Sequence, residues 1–140
     1  MGQAGQHVLI VEDGRSTQMI LDTVMQRSGR RVTLAETYDQ AVAVLRSSLH
    51  PLVVYVDIAL QSTRQGDDPL LLDLLANPDF AATHAFIVIS MLDGVWEDTL
   101  RERVAQTCAG YVSWLRLPSK VSRVIAEQEA AEAWLAARGG

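Results

Sequence analysis

The stretch His7-Val8-Leu9-Ile10-Val11-Glu12-Asp13-Gly14 decides the fold. Its first five residues are a short, β-branched run that ends at once in two carboxylates and a glycine, as a strand buried in a parallel sheet runs out into a turn. Four similar runs follow, at residues 32–35, 52–56, 86–89 and 111–115. Between them the apolar residues switch to helical spacing. Ile20, Leu21, Val24 and Met25 fit one helix face, and Tyr38, Ala41, Val42, Leu45 and Leu49 another. Residues 70–75 are apolar nearly all round, Trp96, Leu100 and Val104 recur at steps of four, and Val121, Val124, Ile125, Gln128 and Leu135 mark a last helix over about residues 119–138. Five strands alternating with five helices predict a five-stranded parallel sheet covered on both faces, because parallel neighbours need crossover helices. The expected architecture is a doubly wound, flavodoxin-like (βα)5 sandwich.

The length of 140 residues suits one domain, here residues 1–140, with no output module expected. A net charge of −5 argues against a nucleic-acid footprint, and the nearest basic cluster, Arg27, Arg30 and Arg31, reads as a helix-to-strand turn. No apolar run reaches a membrane span and no secretory signal is present, so the expected compartment is the cytoplasm. The single Cys108 reads as a structural thiol, and no Cys/His spacing resembles a zinc site. Eleven of the 12 basic residues are Arg, leaving Lys120 as the one lysine.

In doubly wound sheets ligands sit beyond the carboxyl ends of the strands, so the residues that end each strand come first. Strand one ends in Glu12 and Asp13, strand three in Asp57, strand four in Ser90, and strand five near residues 114–116. Three carboxylates converging on one edge repel one another. At ~5 Å and an effective dielectric of ~20 each pair costs about 3 kcal/mol, so a proton or a hard cation such as Mg²⁺ has to compensate. The bland alternative has Asp13 capping the helix that opens at Gly14 and Asp57 beginning a turn.

The segments Val-Leu-Ile-Val-Glu12-Asp13-Gly-Arg-Ser, Val-Val-Tyr-Val-Asp57, Ile-Val-Ile-Ser90 and Gly110-Tyr111-Val112 together resemble the receiver domain of two-component response regulators, over essentially the whole chain. The resemblance implies that Glu12 and Asp13 hold Mg²⁺ with Asp57 and the backbone carbonyl of Ala59. It further implies that Asp57 accepts a phosphoryl group from a phosphohistidine on a sensor histidine kinase or phosphotransfer protein. Ser90 then donates its hydroxyl to a phosphoryl oxygen, and Tyr111 is the aromatic that changes rotamer with it. Such a protein is a phosphoacceptor rather than an enzyme, and phosphoryl transfer to a carboxylate rests mainly on positioning and charge neutralisation.

The sequence also departs from that pattern. Receivers end strand five with a lysine followed by proline. Counting three residues on from Tyr111 gives Trp114, so the lysine is missing, and Arg116 is the geometric candidate to replace its charge, ahead of Lys120. Gln61 stands where the family carries proline, and Gly66 implies a one-residue insertion. Met91 narrows the approach to Asp57, and Ala59 with Leu92 supplies no group to orient a hydrolytic water, so slow self-dephosphorylation is expected. His7, His50 and His84 fall at the opposite edge and read as structural. Trp96 reads as core, and Trp134 as either packing on the sheet's flank or a partner contact.

Two function classes follow. The first is a single-domain response regulator phosphorylated on Asp57 that signals by binding a downstream protein or a second copy, the homodimer forming through helix four, strand five and helix five. The second is a phosphorylation-independent pseudo-receiver acting as an interaction or dimerisation module. A small enzyme or flavin carrier of the same topology ranks behind both, because no Gly-rich phosphate loop follows strand one.

Overall fold

The computed structural model describes residues 6–57, 70–90 and 95–139, with side chains omitted at 70, 71, 95–97 and 139. Five strands, β1 (His7–Val11), β2 (Arg31–Ala35), β3 (Val53–Asp57), β4 (Ala85–Ser90) and β5 (Val112–Arg116), form one parallel sheet in the order β2-β1-β3-β4-β5. The helices are α1 (Arg15–Arg27), α2 (Tyr38–Ser47), α3 (Leu70–Ala76), α4 (Pro78–Thr83), α5 (Val95–Thr107) and α6 (Val121–Gly139). The expected doubly wound parallel sandwich is therefore observed. One helix went unread, the short α4. Its signal was the local Asn77-Pro78-Asp79, in which the Asn77 side chain accepts from the amides of Asp79 and Phe80 and Pro78 opens the first turn.

Because side chains alternate along a strand, the sheet carries two cores. Leu9, Val11, Val54, Val56, Phe86 and Val88 face α2, α3, α4 and α5, with the partly buried Cys108 packed against them. Val8, Ile10, Val53, Tyr55, Ile87 and Leu115 face α1 and α6. Two helix-face expectations need correcting. Leu49 is 92% exposed, because α2 ends at Ser47 and Ser48 is already extended ahead of Pro51. Ile20 is exposed, and Thr17 and Gln18, whose side-chain amide donates to the carbonyl of Glu12, are buried with Leu21 and Met25 on the face that meets the sheet.

A backbone approach sets where β5 begins. A Cβ on Gly110 would lie 2.2 Å from the carbonyl oxygen of Ala81, so only glycine lets the α5–β5 turn pass against α4. Tyr111 follows directly. Its ring packs on Trp134 at 5.6 Å, and the Arg138 guanidinium covers the Trp134 ring at 4.5 Å, so Trp134 packs on the domain's own flank.

His84 closes the amino edge of the sheet. Its Nδ1 accepts the Leu52 amide at 3.0 Å and its ring also bonds to the Leu45 backbone, which joins α2, β3 and β4. Burial holds its pKa down at about 4. Between pH 6.5 and 4 the unfolded chain binds the extra proton, so stability falls as pH drops through that window, on the order of 3 kcal/mol once pH reaches 4. His84→Gln, which keeps an acceptor for Leu52, should flatten this acid limb in urea titrations run from pH 7 to pH 4. An unchanged limb would assign acid sensitivity to another group.

Candidate functional site

The carboxyl edge of the sheet gathers the strand-end residues. Val11 pairs with Val56, Asp57 with Ile89, and Ser90 with Arg116, so Glu12, Asp57, Ser90 and Arg116 stand along one rim. Glu12 and Asp57 share the α1/α6 side by strand alternation, whereas Ser90 and Arg116 fall on the α5 side.

Glu12 is buried at 2% exposure. Its Oε1 accepts the Gly14 amide at 2.7 Å, and its buried Oε2 has no hydrogen-bond donor. Burial first, and then the facing Asp57 carboxylate, push its pKa up to about 8. Two acceptors face each other here, so the pair needs a shared proton or a cation. Asp13 is exposed, and Gly14 is the N-cap of α1 with no side-chain cap, so Asp13 does not cap that helix. Among the described residues no group of three or more His, Cys, Asp or Glu side chains closes into a metal cage. The expected acidic triad is thus a facing pair with a third carboxylate at the open rim. That donor set fits Mg²⁺, which takes one or two carboxylates and keeps several waters, and the orphaned Glu12 Oε2 is the atom such an ion would satisfy. Ala59, Gln61, Gly66, Met91 and Leu92 lie outside the described residues, as does the side chain of Trp96.

Strand five corrects the expected assignments. Tyr111 precedes β5, and its carbonyl accepts the Phe86 amide at 3.1 Å. It therefore sits at the amino edge, five positions or ~16 Å from the residue opposite Ser90. Tyr111 and Ser90 do not come together. Trp114, expected at the strand end, lies opposite Val88, two residues inside it, with the Arg101 guanidinium 4.7 Å from its ring centroid on the α5 side. The residue before a proline is Leu117, buried in the α1/α6 core, and its amide donates to the Ser90 carbonyl at 2.9 Å. Strand five begins one residue later than expected, at Val112. Arg116 is exposed, opposite Ser90. Lys120 is exposed just ahead of α6.

Sequence reasoning missed a buried polar chain behind Asp57. Arg30 makes a bidentate ion pair with Glu132, both bonds 2.8 Å. Gln128 donates to Glu132 and accepts from the Tyr55 hydroxyl, each at 2.8 Å. All four residues are buried. Tyr55 is two residues before Asp57 on the same face of β3, so this chain ties the Asp57 strand to α6 and to the α1–β2 turn. Its sequence signal was weak: Arg30 read as a turn residue, and the acidic residues near Trp134 as an ordinary helix face.

No known family's profile matches the chain, and no curated protein matches it in sequence. Solved structures match its fold. The receiver domain of a signal transduction histidine kinase from Syntrophus aciditrophicus aligns at TM-score 0.72 and 16% identity, covering 92% of this chain and 91% of that one. A response regulator from Thermotoga maritima aligns at 0.70 and 16%, covering 92% and 98%. The receiver domain of a sensor histidine kinase from Pseudomonas aeruginosa, solved with a magnesium ion coordinated in its active-site cleft, aligns at 0.68 and 23%, covering 95% and 99%. The chain has the receiver-domain fold. Among the described residues no helix is long and apolar enough to cross a membrane.

Proposed function

We propose that this chain is a receiver-type phosphoacceptor in two-component signalling, with Asp57 as the group that takes the phosphoryl from a phosphohistidine on a sensor kinase or phosphotransfer protein. The observation that carries the reading is the buried Glu12 carboxylate, one oxygen orphaned, set against Asp57 at the carboxyl edge of a receiver-fold sheet. Glu12, Asp13, Asp57 and the carbonyl of Ala59 would hold Mg²⁺, whose chemistry is to neutralise the equatorial phosphoryl oxygens. An Asp57 oxygen attacks phosphorus, the P–N bond breaks, and the electron pair leaves with the donor imidazole. Ser90, one strand over, donates its hydroxyl to the product phosphoryl. Arg116 opposite Ser90 is the cation placed to answer the new charge, and Trp114 against Arg101 takes the reporting role first expected of Tyr111. The readout is binding of a downstream protein or of a second copy through α5, β5 and α6.

One observation favours a second reading, a phosphorylation-independent interaction module. The position that precedes proline after β5 is the buried, uncharged Leu117. One experiment separates the two. Incubation with a small-molecule phosphodonor and Mg²⁺, read by intact mass, should add one phosphate that is absent in Asp57→Asn. No adduct under conditions that label a control receiver would leave the interaction module standing.

A further inference from the structure

The order β2-β1-β3-β4-β5 leaves β2 at an edge of the sheet. On its inner side the Arg31 amide donates to the Gln6 carbonyl and the Ala35 carbonyl accepts the Glu12 amide, each at 3.0 Å. In a parallel pair alternate residues turn both backbone groups to the same neighbour, so Arg31, Thr33 and Ala35 serve β1. Val32 and Leu34 turn theirs outward, where no described backbone group meets them. The next outward amide, that of Glu36, is already closed by the Gln40 side chain at 2.7 Å, so the open edge is short. Folds commonly blunt such an edge with proline, lysine or a bulge. Residues 31–35 hold neither proline nor lysine, and their pairing with β1 runs unbroken. Leu34 stands 44% exposed there, on the same face as Val32, which packs on the α1/α6 core. Charge changes sign along the strand. The exposed Arg31 opens it, and the exposed Glu36 and Asp39 follow it.

We propose that β2 pairs with β2 of a second copy, antiparallel about a two-fold axis at Thr33, joining the two sheets edge to edge. Outward-facing residues must oppose one another for their N–H and C=O groups to bond, and side chains keep to matching faces only in a register that sets odd against odd and even against even. Val32 opposite Leu34 of the second copy meets both conditions, and all the open groups then bond across the axis. Other registers fail on amides already in use. Centring on Leu34 sets Val32 against Glu36, whose amide Gln40 holds, and centring on Val32 sets Leu34 against Arg30, whose amide donates to the Met25 carbonyl. In the Thr33 register each exposed Leu34 covers the Val32 opposite. Arg31 lies opposite Ala35 and next to Glu36 of the second copy, so the basic start of each strand meets the acidic end of the other. The interface is isologous, as closed two-fold symmetry requires. It leaves β5, at the other edge, free, and it does not depend on phosphorylation of Asp57.

Sedimentation equilibrium of the whole chain from ~10 µM to ~500 µM should follow a monomer–dimer isotherm, weak because so short a seam sits at the small end of interfaces. Leu34→Lys puts a charge at an exposed edge position and should raise the dissociation constant ~tenfold or more, with the monomer's unfolding midpoint unchanged. Arg31→Glu and Glu36→Arg should each raise it ~threefold or more, and the two together should restore it, because the exchanged charges meet again across the axis. Asp57→Asn should dimerise as the unaltered chain does, which separates failure here from failure of the phosphoacceptor reading. The proposal is overturned by a chain that stays monomeric throughout that range, by a dimer that Leu34→Lys leaves intact, or by a double charge exchange that associates as weakly as either single one.

Discussion

Glu132→Ala should be the most destabilising single truncation among the described polar residues of this domain. Arg30 and Glu132 are both buried and paired through two 2.8 Å bonds, so removing the carboxylate leaves a guanidinium sealed from water without its counter-charge. Breaking such a pair costs about 3–5 kcal/mol, a large share of the 5–15 kcal/mol that holds a typical domain together. For a chain of this size that is a fall of roughly 10–17 °C in the unfolding midpoint. Replacing both partners, Arg30→Met with Glu132→Leu, should recover most of the loss, because the desolvated charges go together. A remnant of about 1–2 kcal/mol should persist, since Gln128 then loses the acceptor for its Nε2 hydrogens. Chemical denaturation of the single and double variants measures both quantities. A single variant within about 1 kcal/mol of the parent would mean that water reaches the pair in solution.

The second large effect concerns Glu12. Its folded-state pKa of about 8 lies above the ordinary 4.5, so across that interval the folded chain binds more protons than the unfolded one. The contribution of Glu12 to the stability of the metal-free protein should therefore be fully present below pH 4.5 and decline as pH rises through 8. Mg²⁺ binds only the ionised carboxylate, so its affinity should rise ~tenfold per pH unit up to about 8 and level off above it. Thermal unfolding with and without Mg²⁺ at pH 6, 7, 8 and 9 tests both slopes. Glu12→Gln, uncharged at every pH, should remove the decline and abolish the stabilisation by Mg²⁺. A pH-independent Mg²⁺ effect in the parent would show that Glu12 is already ionised against Asp57, and a Mg²⁺ effect retained in Glu12→Gln would remove Glu12 from the ion's site.

The strands were legible because the signal was strong and local. A parallel sheet sandwiched by helices needs unbroken apolar runs, and each of the five ends within a residue or two of its predicted place. The acidic rim was legible for the same reason, since a strand's end fixes where its last side chain stands. The turn into strand five was less legible. Gly110-Tyr111 reads as the entry to strand five, but Gly110 packs on Ala81 and the strand begins at Val112, which leaves Tyr111 at the amino edge and Trp114 inside the strand opposite Val88. Helix faces were read less well than strands. Ile20 and Leu21 are adjacent and equally apolar, and the seating of α1 on the sheet, with Leu21 and Met25 in the core and Gln18 bonded to the Glu12 carbonyl, decides which one turns inward.

By itself the sequence determined the doubly wound sheet and the set of residues that end its strands, because apolar period and strand length are properties of contiguous residues. The tertiary structure alone decided which of those residues meet. It set Glu12 against Asp57, withdrew Tyr111 to the far edge, and joined Arg30 to Tyr55, Gln128 and Glu132 across 102 residues of chain. The physical reason is that a charge's partner is chosen by burial, which depends on how helices seat on the sheet, and no local pattern records that seating.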